Sequence, residues 1–543
     1  IKIPNSVTSI GQEAFRGCTG LTNAEVPNSI TNIEFGLFHS CTGLSSIVIP
    51  NSVTSIGGYA FASCQSLTNI IIPTSITSIE DGAFHGCTGL TSIEIPNSVT
   101  SVGNKAFQAC KNLTNVTIGK CVKNIGNYAF SSCKNLTNIA MGDSITSIGA
   151  NAYENCSSLT KIEIPEKVTR IGEYAFYGCA ELVNITIPTT VTILERYVFA
   201  DCIKITDIII PNSVKEIGAS VFENCTKIER IIIPDSVTKI GGCAFKNCSN
   251  LTYITIPNSI TYIGSESFRN CVSLTEVSIP NSMKTIEWAT FAGCSKLRKI
   301  TIPKSITKIG SSAFHSCTNL IEIINDRSTP SDISSDSFYL IHRNAMLYVP
   351  VGSKNAYTKA AGWKDIANIV ENDFIVNYIV DEKPYKSFHL KYYEDISIIA
   401  EPTKKGHTFS GWSEAPKTML AKDITINGFF TVNSYKVTYK IDDKEVHYDI
   451  VAYDSIIVPS STFYKEGYTL TWSNLPEHMP DSNIVVDGSY SLNKYLLTYI
   501  VDGKEYKSDS IAYNSTITLI DEPIKEGYTF SGWSEAPETM PAN

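Results

Sequence analysis

Cysteine recurs every 23 residues along the first part of this chain, at Cys18, Cys41, Cys64, Cys87, Cys110, Cys133, Cys156, Cys179, Cys202, Cys225, Cys248, Cys271, Cys294 and Cys317. Proline keeps the same step at Pro4, Pro27, Pro50, Pro73 and Pro96, yields to Gly119 and Gly142, and resumes from Pro165 to Pro303. Fourteen copies without an insertion or deletion leave one class of solution. Identical units must stack, because none can bury its own apolar face.

The unit starting at Pro4 shows how. Its apolar positions are Val7, Ile10, Ala14, Phe15, Cys18, Leu21, Ala24 and Val26. Ala24 and Val26 alternate with Asn23 and Glu25, which predicts a strand with one face inward. Ala14, Phe15 and Cys18 fall at i, i+1 and i+4, which predicts one helical or 3₁₀ turn. The Pro-Asn-Ser corner turns the chain, since Pro fixes φ and Asn and Ser bond back to nearby backbone. With strands about 4.8 Å apart, the stacked units predict a parallel sheet on the order of 60–65 Å long.

The Leu-x-x-Ile-x-Ile-Pro run, followed by Ser-Val-Thr-x-Ile-Gly-x-x-Ala-Phe-x-x-Cys, resembles the BspA-like leucine-rich repeats over residues 1 to about 370. The resemblance implies a leucine-rich-repeat solenoid, secretion, and adhesion at a bacterial cell surface or cell wall.

Charge is unevenly placed. Residues 374–543 carry 15 Lys and Arg against 24 Asp and Glu, which accounts for the whole net charge of −9. The remaining 29 basic and 29 acidic residues cancel. A neutral solenoid lacks the Lys/Arg-rich surface that nucleic acid or an anionic membrane requires. The cysteines sit beside Phe and Leu, where a reduced thiol behaves as a small buried hydrophobe. Disulfides between stacked copies are the alternative, since neighbouring positions approach bridging distance. Cys121 and Cys243 lie off the register. No Cys-x-x-Cys pair marks a zinc site.

After Cys317 the pattern dissolves into an irregular terminal segment, residues 326–372. Ser353 is placed to cap a short helix through Ala361, with Trp363, Ile366 and Ile369 covering the end of the core. Terminal units of solenoids depart from the consensus because one face meets water. A slower repeat follows. Tyr378, Tyr439 and Tyr499 are 61 and 60 residues apart, and Trp412, Trp472 and Trp533 are 60 and 61 apart. Alternating strands, Asp-x-Lys turns and the runs Gly406-His-Thr-Phe-Ser-Gly-Trp412 and Gly527-Tyr-Thr-Phe-Ser-Gly-Trp533 resemble the Listeria–Bacteroides repeat of the internalin B type. That resemblance implies tandem, small β-grasp-like modules. The middle copy departs, with Gly467-Tyr-Thr-Leu-Thr-Trp472 lacking the Ser-Gly. The expected organisation is therefore a solenoid over 1–325, a cap over 326–372, and modules over 373–432, 433–492 and a truncated 493–543. Residue 1 falls inside a repeat and residue 543 inside another, so the chain reads as a fragment.

None of the short catalytic motifs for serine hydrolases, zinc proteases, P-loop NTPases or dinucleotide binding is present. His39, His85 and His315 share one repeat position, but alternate turns are too far apart to share a metal, and solvated turn positions account for them. No catalytic, metal or cofactor-binding residue is expected, and no cofactor. What varies is the outward row of the sheet. Thr, Ser and Asn make up nearly half of it. Two apolar pairs break the pattern, Val48 with Ile71 and Ile209 with Ile232, the second flanked by Asp207, Arg230 and Tyr253. Exposed apolar groups rimmed by polar ones mark interaction sites. The expected function is a non-enzymatic scaffold that binds a surface or matrix protein or glycan of a host or neighbouring cell. The alternative is a non-catalytic targeting region of a larger cell-wall or polysaccharide-active enzyme.

Overall fold

The computed structural model describes residues 1–542. The chain divides into two units, Ile1–Asn372 and Asp373–Asn543.

In the first unit each turn of the solenoid lays down two parallel ladders, where the sequence pattern predicts one. The expected ladder contains Asn23–Glu25, Ser46–Val48, Ser92–Ile95 and their successors, paired at the 23-residue step (Ala24 opposite Ile47, Ile93 opposite Val116). A second ladder of two-residue strands runs beside it, from Asn32–Ile33 through Ser55–Ile56 and Ser78–Ile79 to Arg170–Ile171, and continues from Ile193–Leu194. It forms from the Thr-Ser-Ile stretch after the proline corner. There Ile33, Ile56 and Ile79 point inward and the preceding Asn or Ser points out.

The expected turn at Ala14–Cys18 forms as separate i→i−3 bonds rather than as a continuous helical or 3₁₀ segment. Left-handed residues stand four apart there, as at Glu13 (φ 58°) and Gly17 (φ 71°), or at Tyr59 (φ 55°) and Ser63 (φ 59°) two turns on. Successive N–H groups point in alternate directions. Ala14 and Arg16 N–H groups donate back to the Gly11 and Glu13 carbonyls at 3.3 and 2.9 Å. Glu13, Phe15 and Gly17 N–H groups instead reach the next turn, donating to Phe35, Leu37 and His39 carbonyls at 2.9, 3.0 and 2.7 Å. A helix would spend its amides internally, so it could not tie one turn to the next.

Between these three sides lies a continuous core. The Phe at each turn stacks on its neighbours from Phe15 to Phe338, with ring centroids 5.0–5.8 Å apart and planes within 16°, interrupted chemically only by Tyr153. Each buried Phe, Leu or Ile contributes roughly 1.5–3 kcal/mol, and every turn repeats the set. The cysteine completes it. From Cys41 onward the register cysteines are buried, and each thiol donates to the carbonyl of the Phe or Tyr 26 residues earlier, as Cys64 does to Phe38 at 3.2 Å.

The Ile-Gly position is also explained. Gly126, Gly149 and Gly172 do not have positive φ. Their constraint is closeness: a Cβ there would lie 2.5–2.6 Å from the backbone of the preceding turn. Where Glu80 takes this position its amide bond to the Ile56 carbonyl lengthens to 3.2 Å, against 2.9 Å for Gly103.

The terminal segment continues the solenoid rather than merely covering it. Met346–Val349 and Asn368–Glu371 add two further rungs beyond Glu322–Asn325. The expected helix is a single turn, Lys354–Tyr357, and does not reach Ala361; the Ser353 hydroxyl makes no capping bond. Gly362 (φ 75°) ends the segment by bending the chain into the Trp363–Asp365 turn. Trp363, fully buried, tilts against Phe338 at 5.4 Å and donates its Nε1–H to the Ser331 carbonyl at 2.9 Å. Ile366 and Ile369 are buried beside it.

The second unit holds three β modules. In the second, strands Lys444–Ala452, Ser434–Ile441, Ile484–Leu492 and Tyr468–Ser473 lie side by side in that order, the central pair parallel and the outer pairs antiparallel. The first repeats the hairpin Phe374–Val380 with Lys383–Leu390 and its parallel partner Ile424–Gly428. The third shows the hairpin Lys494–Val501 with Lys504–Ala512. Each carries a bulge just after its core tyrosine, Tyr378, Tyr439 or Tyr499. The aberrant middle motif is resolved by geometry. Gly411 sits at φ 81° and follows the end of the short strand His407–Phe409, and Gly532 has a similar φ of 94°, whereas Thr471 in the middle copy lets Tyr468–Ser473 run on as one strand.

Candidate interaction surface

Inward positions of the first ladder are apolar and buried, so only its outward row is free to vary. Ile209 and Ile232 occupy the same place on neighbouring turns and are 81% and 73% exposed. Arg230 pairs in register with Tyr253, and Ile232 with Thr255, so the charged row and the apolar row run side by side. Tyr253 is 53% exposed, and Asp207 and Arg230 are exposed as well. The structure thus brings Asp207, Ile209, Arg230, Ile232 and Tyr253 onto one face. Val48 and Ile71, 64% and 78% exposed, form a separate pair at the same repeat position several turns away.

Both pairs lie where strand pairing lapses. Ile71 and Ile209 belong to no strand, although their flanking Ile70, Ile72, Ile208 and Ile210 remain buried. The inward residues therefore hold the turn in place while the outward isoleucine stands on a stretch outside the regular ladder.

Sequence reasoning confined the search to this row and missed the second ladder. There Ile193 and Tyr262 are exposed, with Glu216 and Lys239 between them paired at 2.7 Å. The 23-residue step applied to the Thr-Ser-Ile stretch would have found them. It also missed a cluster on the turn side, where Tyr174 and Tyr197 stack at 4.5 Å and Tyr177 meets Tyr174 edge-on at 5.7 Å. The Tyr177 hydroxyl is pushed up to about 12, chiefly by its hydrogen bond to Asp201, with burial adding to it.

The histidines differ from expectation. His39 and His85 are half-buried rather than solvated, with Nδ1 shielded and without a hydrogen-bond partner, and burial lowers the pKa of both. Among the described residues no group of three or more His, Cys, Asp or Glu side chains is placed to hold a metal ion. The ladder thiols are driven the opposite way from a nucleophile's need. Burial raises Cys133, Cys179, Cys248 and Cys317 to about 12, so the thiolate is not accessible at neutral pH. A cavity of 540 Å³ lies in the third module beside Leu497, Tyr499, Phe530 and Trp533. Ile424–Gly428 and Ile484–Leu492 fill the corresponding place in the other modules, so the cavity is a strand position of the sheet rather than a convergent polar site. Trp412 and Trp533 are half-buried against Tyr378 and Tyr499 and donate Nε1–H to the Ile399 and Ile520 carbonyls at 3.1 Å. Among the described residues no helix is long and apolar enough to cross a membrane.

A parallel-ladder solenoid with a variable outward row, joined to tandem β modules, defines a leucine-rich-repeat protein. The chain belongs to the BspA-type leucine-rich-repeat family, whose model matches residues 1–114, 101–229 and 216–344. The Listeria–Bacteroides repeat model matches 374–430 and 495–541, the two modules that retain Ser-Gly. A solved leucine-rich-repeat protein from Bacteroides ovatus is 32% identical, with a TM-score of 0.53 over 60% of this chain and 86% of that one. Internalin H of Listeria monocytogenes is 29% identical over 114 residues, 19% of this chain and 20% of the relative. The chain therefore spans about a fifth of the length of that curated relative.

Proposed function

We propose that the protein is a non-enzymatic adhesion scaffold on the bacterial cell surface or wall. Its solenoid binds a surface or matrix protein or glycan of a host or neighbouring cell, and its β modules serve as the stalk. The observation that carries this reading is the Ile209/Ile232 pair, largely exposed on adjacent turns and framed by Asp207, Arg230 and Tyr253. An exposed aliphatic centre with a charged and aromatic rim has the make-up of an interface core. Val48 and Ile71 form a second, smaller contact on the same face.

A binding screen of the intact chain against immobilised extracellular-matrix proteins and glycans tests the proposal. It predicts saturable binding to at least one class, insensitive to chelators and reducing agents. No binding across both classes counts against it.

A further inference from the structure

Single residues join the modules of the second unit. Asn433 stands between strand Phe430–Val432 and strand Ser434–Ile441, and Asn493 between Ile484–Leu492 and Lys494–Val501. Both are held in the same way. The Asn433 N–H donates to the Gly406 carbonyl at 2.9 Å, and its own carbonyl accepts from the Tyr453 N–H at 2.8 Å. Asn493 repeats this with Gly467 and Tyr513, at 2.9 Å in both bonds. The side chains are used as well. Thr408 and Thr469 hydroxyls donate to the Asn433 and Asn493 Oδ1 atoms at 2.6 and 2.5 Å. The asparagine Nδ2 groups reach the Tyr435 and Tyr495 hydroxyls at 3.3 and 3.4 Å.

A ring closes each junction. Tyr453, from the second module, lies so close over Gly406 of the first that a Cβ there would be 2.2 Å from the ring. Tyr513 covers Gly467 in the same manner, at 2.1 Å. Both glycines have left-handed φ, 68° and 75°. His407 and Tyr468, the next residues, meet those tyrosines edge-on at 5.9 and 6.4 Å. The glycine at each junction therefore has a packing use, since only a residue without a Cβ fits beneath the following tyrosine.

From this we infer that the modules are locked to one another, and that the glycine–tyrosine seat with its bridging asparagine makes the stalk a stiff rod with a fixed module-to-module rotation. A flexible linker would let neighbouring modules reorient freely. Here one residue separates them, and both its backbone groups and its side chain are bound across the junction. The consequence is a set length and rotation for the run of modules itself, where loose tethers would let neighbouring modules fold back on one another. This inference rests on the stalk part of the proposed function, and its test involves no ligand, so the failure of either can be told apart.

The test is an electron-spin distance measurement on the full chain, with nitroxides attached through unnatural amino acids at the exposed Lys422 and Glu477. Wild type is expected to give one narrow distribution, unchanged by Tyr453→Phe because the ring alone fills the seat. Insertion of two glycines after Asn433, which leaves both modules intact, is expected to widen it about twofold or more. Tyr453→Ala is expected to widen it as well, with the far-ultraviolet spectrum unchanged. A broad distribution in wild type, or one that the insertion leaves unaltered, overturns the inference.

Discussion

The thiol of Cys133 donates to the carbonyl oxygen of Phe107, 3.2 Å away on the preceding turn, and that carbonyl also accepts the Cys110 N–H at 3.2 Å. A second lone pair of a buried carbonyl is thus satisfied by a side chain small enough to fit the core. Cysteine alone among the residue types supplies both the packing volume of a small apolar group and a weak donor. Replacing it by alanine removes the sulfur and leaves a void. Cys133→Ala is expected to cost about 1–3 kcal/mol, read as a lower urea midpoint with the transition slope unchanged. A neutral effect would mean that the thiol only fills space that the core can close.

Thiol titration separates packing from cross-linking. All sixteen cysteines are free, and only Cys18 and Cys121 are exposed, with Cys243 half-buried. Two or three should react with a thiol reagent in native buffer and sixteen in denaturant without reductant. Burial raises the ladder thiols, so increasing the pH from 7 to 9 should not bring them into reaction while the solenoid is folded. A shortfall in denaturant would reveal disulfides.

Tyr153 replaces phenylalanine in the stacked column, fully buried, and its hydroxyl finds no hydrogen-bond partner. An orphaned buried hydroxyl costs free energy that the phenyl ring avoids. Tyr153→Phe is expected to stabilise the solenoid by about 1–2 kcal/mol, seen as a higher urea midpoint. A loss of stability would point to a buried water or neighbour that the hydroxyl serves.

The hairpin turns of the modules offer a gain. Asp442 and Asp443 both take left-handed φ, 51° and 61°, where the third module has Asp502-Gly503. Asp443→Gly and Glu382→Gly should each stabilise their module by about 0.5–1 kcal/mol, measured by thermal melting. Destabilisation would mean that the carboxylates earn their place through contacts beyond the turn.

The 23-residue step made the stacking, the inward residues and the register of the first ladder legible, because each turn repeats the same apolar positions. The second ladder was hidden, since two-residue strands leave almost no alternation to read. The left-handed residues were hidden too: Tyr59, Lys105 and Tyr174 carry no glycine-like signal, and the neighbouring turn imposes their φ through the forward hydrogen bonds. The helix expected through Ala361 stops at Tyr357, whose ring and hydroxyl are committed to Trp363 and to the Arg327 carbonyl. Of the candidate surface, the outward isoleucines could be read from their place in the repeat. The tyrosine stack at Tyr174 and Tyr197 could not, because their column holds glycine, lysine and serine on other turns.

The outward row at Ile209 and Ile232 is the proposed seat of partner recognition on the solenoid. Once a ligand is identified, the direct measurement is its affinity for the wild-type chain, for Ile209→Asp with Ile232→Asp, and for Thr117→Asp on a polar stretch of the same row. The double substitution should weaken binding roughly tenfold or more, with the urea midpoint unchanged, and Thr117→Asp should leave it unaltered. Equal affinity in all three proteins would contradict the account.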